Sequence, residues 1–407
     1  MERFLGYPTP LRAYGYFAAV QVLSTATLGF TRADSARSRI FLSIIILLLN
    51  FLGDRTIQAA SDDLSVRLFF SGSCWIHALH ITSLLVQSRL EYTIDGDKVI
   101  KNKSGAPESI FVSREPSGDG KFLSRLKWSL AMQWNFRRIK TSKPSKNIPP
   151  FSYTNPQYVP SRMRFCISRM FSIILSVGYL ALVDPHLQPK FEDLAPSRVI
   201  LFSRLKEITL LEVVRRVMAT ISWLGCVFAS NEISYGALAI IFNILGLSEP
   251  VMWPSSFGPL RQSYSLRNWW GVTWHQTWRS FLSDHADLVL FRIMRLRKST
   301  FSFYAKLFLA YFISGLLHLP PDMAAGVPLY ESGAMGFLLV QVAGLIFEET
   351  MQKLNKKMGL ITNSLMVKTI GYIWVAFWLT WTLPWLAFPR TRYRPLNFML
   401  EPPDGHL

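Results

Sequence analysis

Trp253-Pro254-Ser255-Ser256-Phe257, Arg267-Asn268-Trp269-Trp270-Gly271-Val272-Thr273-Trp274-His275-Gln276 and Phe312-Ile313-Ser314-Gly315-Leu316-Leu317-His318-Leu319-Pro320 follow one another within one stretch of this chain. The last of the three closes an apolar run that begins near Phe301, which places His318 at or just inside a bilayer. Desolvating an ionisable side chain there is costly, so His318 is a functional candidate by default. His275 sits instead in a tryptophan-dense segment of interfacial character.

Outward from this stretch the chain reads as membrane protein. Half of its 407 residues are hydrophobic and the mean hydropathy is positive. Length alone would accommodate two or three soluble domains. That reading is overruled by apolar runs that approach the roughly 20 residues needed to span a bilayer. The runs lie at about 14–30, 40–52, 68–86, 165–183, 213–229, 235–253, 301–318, 333–347 and 367–386. The expected fold is therefore an all-α integral membrane, multi-pass bundle of about eight to nine transmembrane helices. It divides into N-terminal helices at 1–90, a basic polar loop at 91–165 and a motif-bearing membrane region at 166–407. No short cleavable signal peptide is read, so the first span is expected to stay in the membrane.

The formal net charge of +18 raises the question of nucleic acid. The Lys and Arg residues lie mostly between apolar runs rather than on one basic helix, as they do in cytoplasmic loops, so no nucleic-acid partner is expected. The loop at 91–165 carries fourteen Lys and Arg against six Asp and Glu and is assigned to the cytosolic side. Within it, residues 127–138 predict an amphipathic basic-aromatic helix lying on the membrane surface. A glycan on Asn102 of Asn102-Lys103-Ser104 would place this loop in the lumen instead. Three spans separate this loop from the basic segment at 258–300, and simple alternation would put the two on opposite sides. Either one run is re-entrant, with 213–229 the suspect because Arg215 and Arg216 stand at its start, or the His275 segment is buried in protein.

Several other chemistries are disfavoured. Cys74, Cys166 and Cys226 lie far apart in apolar runs, without disulfide or zinc spacing. His77 and His80 share one helical face, but further ligands are missing nearby, so a polar contact inside the bundle is expected and no metal site. Asp284-His285-Ala286-Asp287 suggests magnesium and diphosphate. A prenyltransferase would need a second acidic motif, and the tetrapeptide is read as interfacial polar surface. There is no Gly-rich phosphate loop and no Gly-x-Ser-x-Gly elbow. A non-enzymatic carrier would more often show repeat symmetry.

The Pro254-x-x-Phe257, Trp270-Gly271-x-x-Trp274-His275-Gln276 and Ser314-Gly315-x-x-His318 motifs resemble the fungal and plant wax synthase-like branch of the membrane-bound O-acyltransferases. The resemblance is strong over about 250–349 and rests on hydropathy alone before that. It implies transfer of an acyl group, acetyl above all, from acyl-CoA to the hydroxyl of a hydrophobic alcohol, a terpenoid or meroterpenoid by likeness to fungal members. Long-chain wax or sterol ester synthesis is the alternative. It implies no bound cofactor, acyl-CoA as co-substrate and an endoplasmic reticulum membrane.

The residues support the chemistry independently. Attack of an alcohol on a thioester needs a base, and a buried, neutral histidine can accept the proton. His318 is the expected base. His275 is expected to polarise the acyl carbonyl or stabilise the oxyanion, with membership of a belt of Trp269, Trp270, Trp274 and Trp278 as the competing reading. Asn268 is a further candidate for that role. No Ser or Cys stands in a triad arrangement, so direct attack in a ternary complex is expected. Ser314 beside Gly315 serves close helix packing. Arg267 and Arg279, which bracket the core motif, are the candidates for the phosphates of CoA.

Overall fold

The structure is a computed structural model that describes residues 9–92, 121–141, 143–359 and 364–393. Every element among them is helical, and ten helices organise the chain. They are α1 (Pro10–Phe30), α2 (Ala36–Ala60), α3 (Leu64–Thr82), α4 (Lys121–Gln133), α5 (Arg162–Gly178), α6 (Leu210–Ile244), α7 (Arg279–Asp287), α8 (Thr300–Ala324), α9 (Ala334–Met358) and α10 (Ser364–Tyr393). Their starts follow the chain chemistry. Thr9 precedes Pro10 and accepts from Arg12, Asp63 accepts from Ser65 and Val66, and Ser299 with Ser302 forms a reciprocal capping box. Each satisfies backbone N–H groups that a helix start leaves unpaired.

Seven helices among the described residues are long and apolar enough to cross a membrane, fewer than the eight or nine expected. One reason is that 213–229 and 235–253 do not form two spans. Most of this sequence is one continuous helix, α6, of 35 residues. At 1.5 Å per residue it is about 50 Å long, well beyond a hydrocarbon core of about 30 Å. The other reason is α1, which falls short by that measure and turns Ser24, Thr25 and Thr27 into the bundle. The arginines that made 213–229 suspect are housed by protein. Arg216 is buried and donates to the carbonyls of Arg198 (2.5 Å) and Val199 (3.0 Å).

Joining these runs removes the topological conflict. Two spans now separate 91–165 from 258–300, and the two segments touch. Arg138 pairs with Asp284 at 2.6 Å, Ser145 Oγ meets Ser280 Oγ at 2.6 Å, and Asn147 Nδ2 donates to the carbonyl of Gly271 at 2.7 Å.

The expected surface helix at 127–138 is corrected by the same contacts. Helix α4 ends at Gln133 and packs on α1, with Trp128, Ser129 and Met132 buried and Gln133 Nε2 donating to Thr25 Oγ1 at 2.5 Å. Arg137 and Arg138 are only 3% and 4% exposed. Carbonyls and a carboxylate offered by distant segments meet these guanidiniums better than a headgroup layer would, because buried charge persists where it is paired. Asp284 and His285 are likewise not simply polar surface. Asp284 accepts from Ser83 (2.8 Å), Ser88 (3.2 Å) and Arg138, and His285 Nε2 lies 3.3 Å from Thr82 Oγ1. His77 and His80 are buried in the N-terminal bundle, against Trp134 and Phe136 respectively. The Asn102 acceptor lies outside the described residues.

The C-terminal half is held by close helix approach. A Cβ on Gly315 would come within 2.8 Å of Met335 Sδ, so the glycine beside Ser314 permits α8 to pack on α9 as expected. On Gly344 a Cβ would meet the Trp378 ring at 2.4 Å, closing α9 on α10.

The Arg138–Asp284 pair ties the N-terminal bundle to the motif-bearing segment. Arg138→Leu would strand a partly buried carboxylate and should cost roughly 3 kcal/mol, read as a lower melting midpoint of detergent-solubilised protein. Arg138→Leu with Asp284→Leu should recover part of that loss. A single variant that melts with the wild type would show that the pair contributes no stability.

Candidate active site

The motif segment enters the bundle as irregular chain, and its backbone is satisfied step by step. Glu348 on α9 is buried and accepts from the backbone N–H of Leu266 (2.6 Å) and Arg267 (3.2 Å), and from Trp374 Nε1 (3.1 Å). A single turn, Leu266–Asn268, then passes into a π-helical turn, Trp269–Thr273. Pro254 to Gly258 lies alongside, and the Gly258 N–H donates to the Thr273 carbonyl at 2.9 Å. A Cβ on Gly258 would sit 2.2 Å from the Val272 carbonyl oxygen, so only glycine fits there. Gln276 is buried and donates to the carbonyls of Trp270 (3.0 Å) and Trp274 (2.7 Å), while Arg279 Nη1 donates to Gln276 Oε1 (2.9 Å) and to the Gly271 carbonyl (3.0 Å). Non-helical backbone survives inside an apolar bundle only with such partners.

One residue missed in the sequence, Gln341, supports the tryptophans. It is fully buried on α9. Its Oε1 accepts from Trp270 Nε1 (3.2 Å) and Trp378 Nε1 (2.9 Å), and its Nε2 donates to the Phe337 carbonyl (2.9 Å) and Thr382 Oγ1 (3.3 Å). Arg137 is another. It donates to the carbonyls of Pro254 (2.6 Å) and Ser255 (2.5 Å) and bonds Tyr235 Oη on α6, which fixes the strip leading to Phe257. Phe257 in turn packs edge-on against the rings of Trp274 and His275.

A cavity of about 2030 Å³ is lined by residues of the motif segment, the C-terminal helices and helix α3. Helix α8 presents Tyr304, Leu307, Tyr311, Ser314 and His318 to it, the i, i+3, i+7 spacing of one helical face. His275 and His318, 43 residues apart in sequence, both line it. The Trp278 indole touches both, with ring centroids 5.0 Å from His275 and 5.6 Å from His318. Sequence reasoning placed Trp278 only in a belt; its spacing from His275 gave no sign that it would touch both histidines. Asn268, Arg267 and Arg279 line the same cavity. Arg267 is exposed and pairs with Glu349 at 2.6 Å, whereas Arg279 braces the motif loop as described. Among the described residues no group of three or more His, Cys, Asp or Glu side chains converges as a metal would require.

Burial and the nearby Arg137 guanidinium push the His275 pKa down to about 4, so its imidazole is neutral at physiological pH. Its Nδ1 is buried with no hydrogen-bond partner among the described residues. His318 is fixed through its backbone. Pro320 and Pro321 lie inside α8 and remove two N–H groups from the helix ladder. Near this break Arg390 Nη2 donates to the His318 carbonyl at 3.0 Å, while Arg390 Nε bonds the buried Asp322, which also accepts from Ser332 at 2.6 Å.

Comparison with known proteins identifies the class. Residues 253–340 match the model of the membrane bound O-acyl transferase family. The chain is an integral membrane O-acyltransferase related to that family. It is 29% identical over 315 residues, 75% of each chain, to acetyltransferase aurG of Calcarisporium arbuscula. It is 28% identical to acetyltransferase fsoF of Humicola fuscoatra over 67% of this chain and 70% of that one. To acetyltransferase ataH of Aspergillus terreus it is 34% identical over 40% of this chain and 54% of that one.

The His275 environment has a consequence for acid stability. An unfolded chain binds a proton at His275 near pH 6.5, and the folded chain does so only near pH 4, so folding is progressively disfavoured as pH falls through that interval. His275→Gln should flatten the fall in melting temperature between about pH 6.5 and 5, by up to about one proton of linkage. An unchanged slope would mean that the imidazole is hydrated in the folded protein.

Proposed function

We propose that this enzyme transfers an acyl group, acetyl in the first place, from acyl-CoA to the hydroxyl of a hydrophobic alcohol, a terpenoid or meroterpenoid, in an endoplasmic reticulum membrane. The observation that carries the reading is that His275 and His318 line one cavity and both touch the Trp278 ring. The acetyltransferase names of the relatives support the acyl group.

His318 takes the hydroxyl proton as the alcohol oxygen attacks the thioester carbonyl carbon. The carbon–oxygen bond forms, and negative charge develops on the carbonyl oxygen. Neutral His275 donates a hydrogen bond to that oxygen in a site where water is sparse and such a bond is strong. Asn268 assists at the same oxygen. Collapse breaks the carbon–sulfur bond, and the protonated His318 returns its proton to the CoA thiolate, so base and acid are one residue. Both substrates are present at once, and no acyl-enzyme forms.

The phosphates of CoA are held at the mouth of the cavity. Arg267 contributes there in exchange for Glu349. Arg279 offers Nε and Nη2, since Nη1 is committed to Gly271 and Gln276. Lys143 and Lys146 are exposed on the same cavity wall and add charge that the sequence reading did not assign.

Microsomes bearing the protein, given labelled acetyl-CoA and palmitoyl-CoA with terpenoid, sterol and long-chain alcohols, should form ester, with acetyl preferred. His318→Ala should lower turnover by about 10²–10⁴ and His275→Ala by about 10²–10³, each with protein still in the membrane. Ser314→Ala should retain activity. Wild-type turnover in His318→Ala would remove the base from this mechanism, and full activity in His275→Ala would return that residue to the tryptophan belt.

A further inference from the structure

Asn231 stands in the middle of α6 and lines the cavity. Apolar side chains share the cavity lining with it, among them Leu68, Phe69 and Ile76 of α3, Leu180 and Ala181 beyond α5, and Val227 one turn earlier. An amide in such a place is costly unless it has a partner. Several other polar side chains along α6 make at least one bond to protein, although Thr220 Oγ1 is also buried without a partner among the described residues. Glu232 pairs with Arg169 at 3.2 Å, Ser222 donates to Asp184 at 2.5 Å, and Asn243 donates to the Ala239 carbonyl at 2.8 Å. Asn231 makes no side-chain hydrogen bond among the described residues, and its Oδ1 is buried.

Its height in the cavity is set by its neighbours. Phe228, three residues earlier, packs on Phe257 at 4.7 Å between ring centroids, and Phe257 packs on His275 at 5.8 Å. Tyr235, four residues later, bonds Arg137 and the Pro254 carbonyl. Asn231 is thus about 4.5 Å along the helix from Phe228, which reaches His275 only through the Phe257 ring. Ser230 and Ser234 flank it on the cavity wall, with Ser234 Oγ bonded to the Ser230 carbonyl.

We infer that Asn231 is a specificity-determining residue that hydrogen-bonds a second oxygen function, carbonyl or hydroxyl, carried by the alcohol on a part of its skeleton remote from the hydroxyl that is acylated. This rests on the acyl-transfer reading above and narrows its acceptor to a multiply oxygenated polycyclic alcohol. An amide suits the task because its Nδ2 can donate to a carbonyl or to a hydroxyl oxygen. A site built to bond such a group discriminates strongly against an analogue without it, since its own polar group is then left unpaired. A plain fatty alcohol leaves Asn231 in that state.

The test compares two acceptors with one polycyclic skeleton, a keto-alcohol and its deoxo counterpart, in wild type, Asn231→Leu and Asn231→Gln microsomes. Wild type should favour the keto-alcohol by tenfold or more in kcat/KM. Asn231→Leu should lose at least tenfold on the keto-alcohol through KM and stay within about twofold on the deoxo alcohol, and Asn231→Gln should restore part of the preference. Equal losses on both acceptors, or no loss on either, would overturn the inference. Thermal stabilisation of the detergent-solubilised protein by each alcohol is measured in parallel. If wild type forms no ester with any donor, the acyl-transfer reading fails by itself. Stronger stabilisation by the keto-alcohol, lost in Asn231→Leu, would then still support the contact, and its absence would overturn it.

Discussion

A length of non-helical chain can lie inside an apolar bundle only when protein answers each of its N–H and C=O groups. The segment from Leu266 to Trp278 obeys that constraint through a few buried side chains. Glu348 receives its first two N–H groups, Gln276 and Arg279 close on its carbonyls, and Gly258 admits a neighbouring backbone where a Cβ would collide. Because these partners come from α9, from the start of α7, from the strip ending at Gly258 and from the segment itself, the motif is held as part of the packed bundle. His275 and Trp278 are held with it. The contact of Trp278 with both His275 and His318 is consequently a property of the packed helices.

Charge follows the same logic. Each arginine drawn into this protein is met by carbonyls or a carboxylate: Arg137 by Pro254 and Ser255, Arg138 by Asp284, Arg169 by Glu232, Arg390 by Asp322 and the His318 carbonyl. Most of these bonds join elements far apart in the chain. They couple the N-terminal helices to the motif segment and the last helix to the candidate base. A buried pair is weak evidence for added stability, but each removes the freedom of one element to move against another. Part of the basic character of the chain thus serves as internal braces, while Lys143, Lys146 and Arg267 on the cavity lining remain exposed.

Legibility in the sequence differed by kind of residue. His318 and His275 were readable because an ionisable side chain in an apolar or tryptophan-rich setting is conspicuous, and because the motifs around them resemble a known family. Gly315 was readable from its neighbour Ser314. Arg137 and Arg138 looked like the polar side of a surface helix, since their partners, Ser255 and Asp284 among them, lie far away in the chain. Gln341, Glu348 and Asn231 gave no local signal, because a lone polar residue in an apolar run does not reveal which side chain, or which cavity, it will face. Asp284 was read as surface for the same reason.

The sequence by itself determined that the chain is an all-helical membrane protein, where its apolar runs lie, and which histidines stand in chemically demanding positions. Those properties follow from local composition and spacing, which transfer free energy and helical periodicity convert directly into structure. Only the tertiary structure decided that two apolar runs make one 35-residue helix, that the basic loop and the motif segment meet on one side, and that His275, His318 and Asn231 share a cavity. These outcomes depend on hydrogen bonds and ion pairs between residues distant in sequence. Such partners are chosen by the packing of whole helices, and no window of the chain contains both.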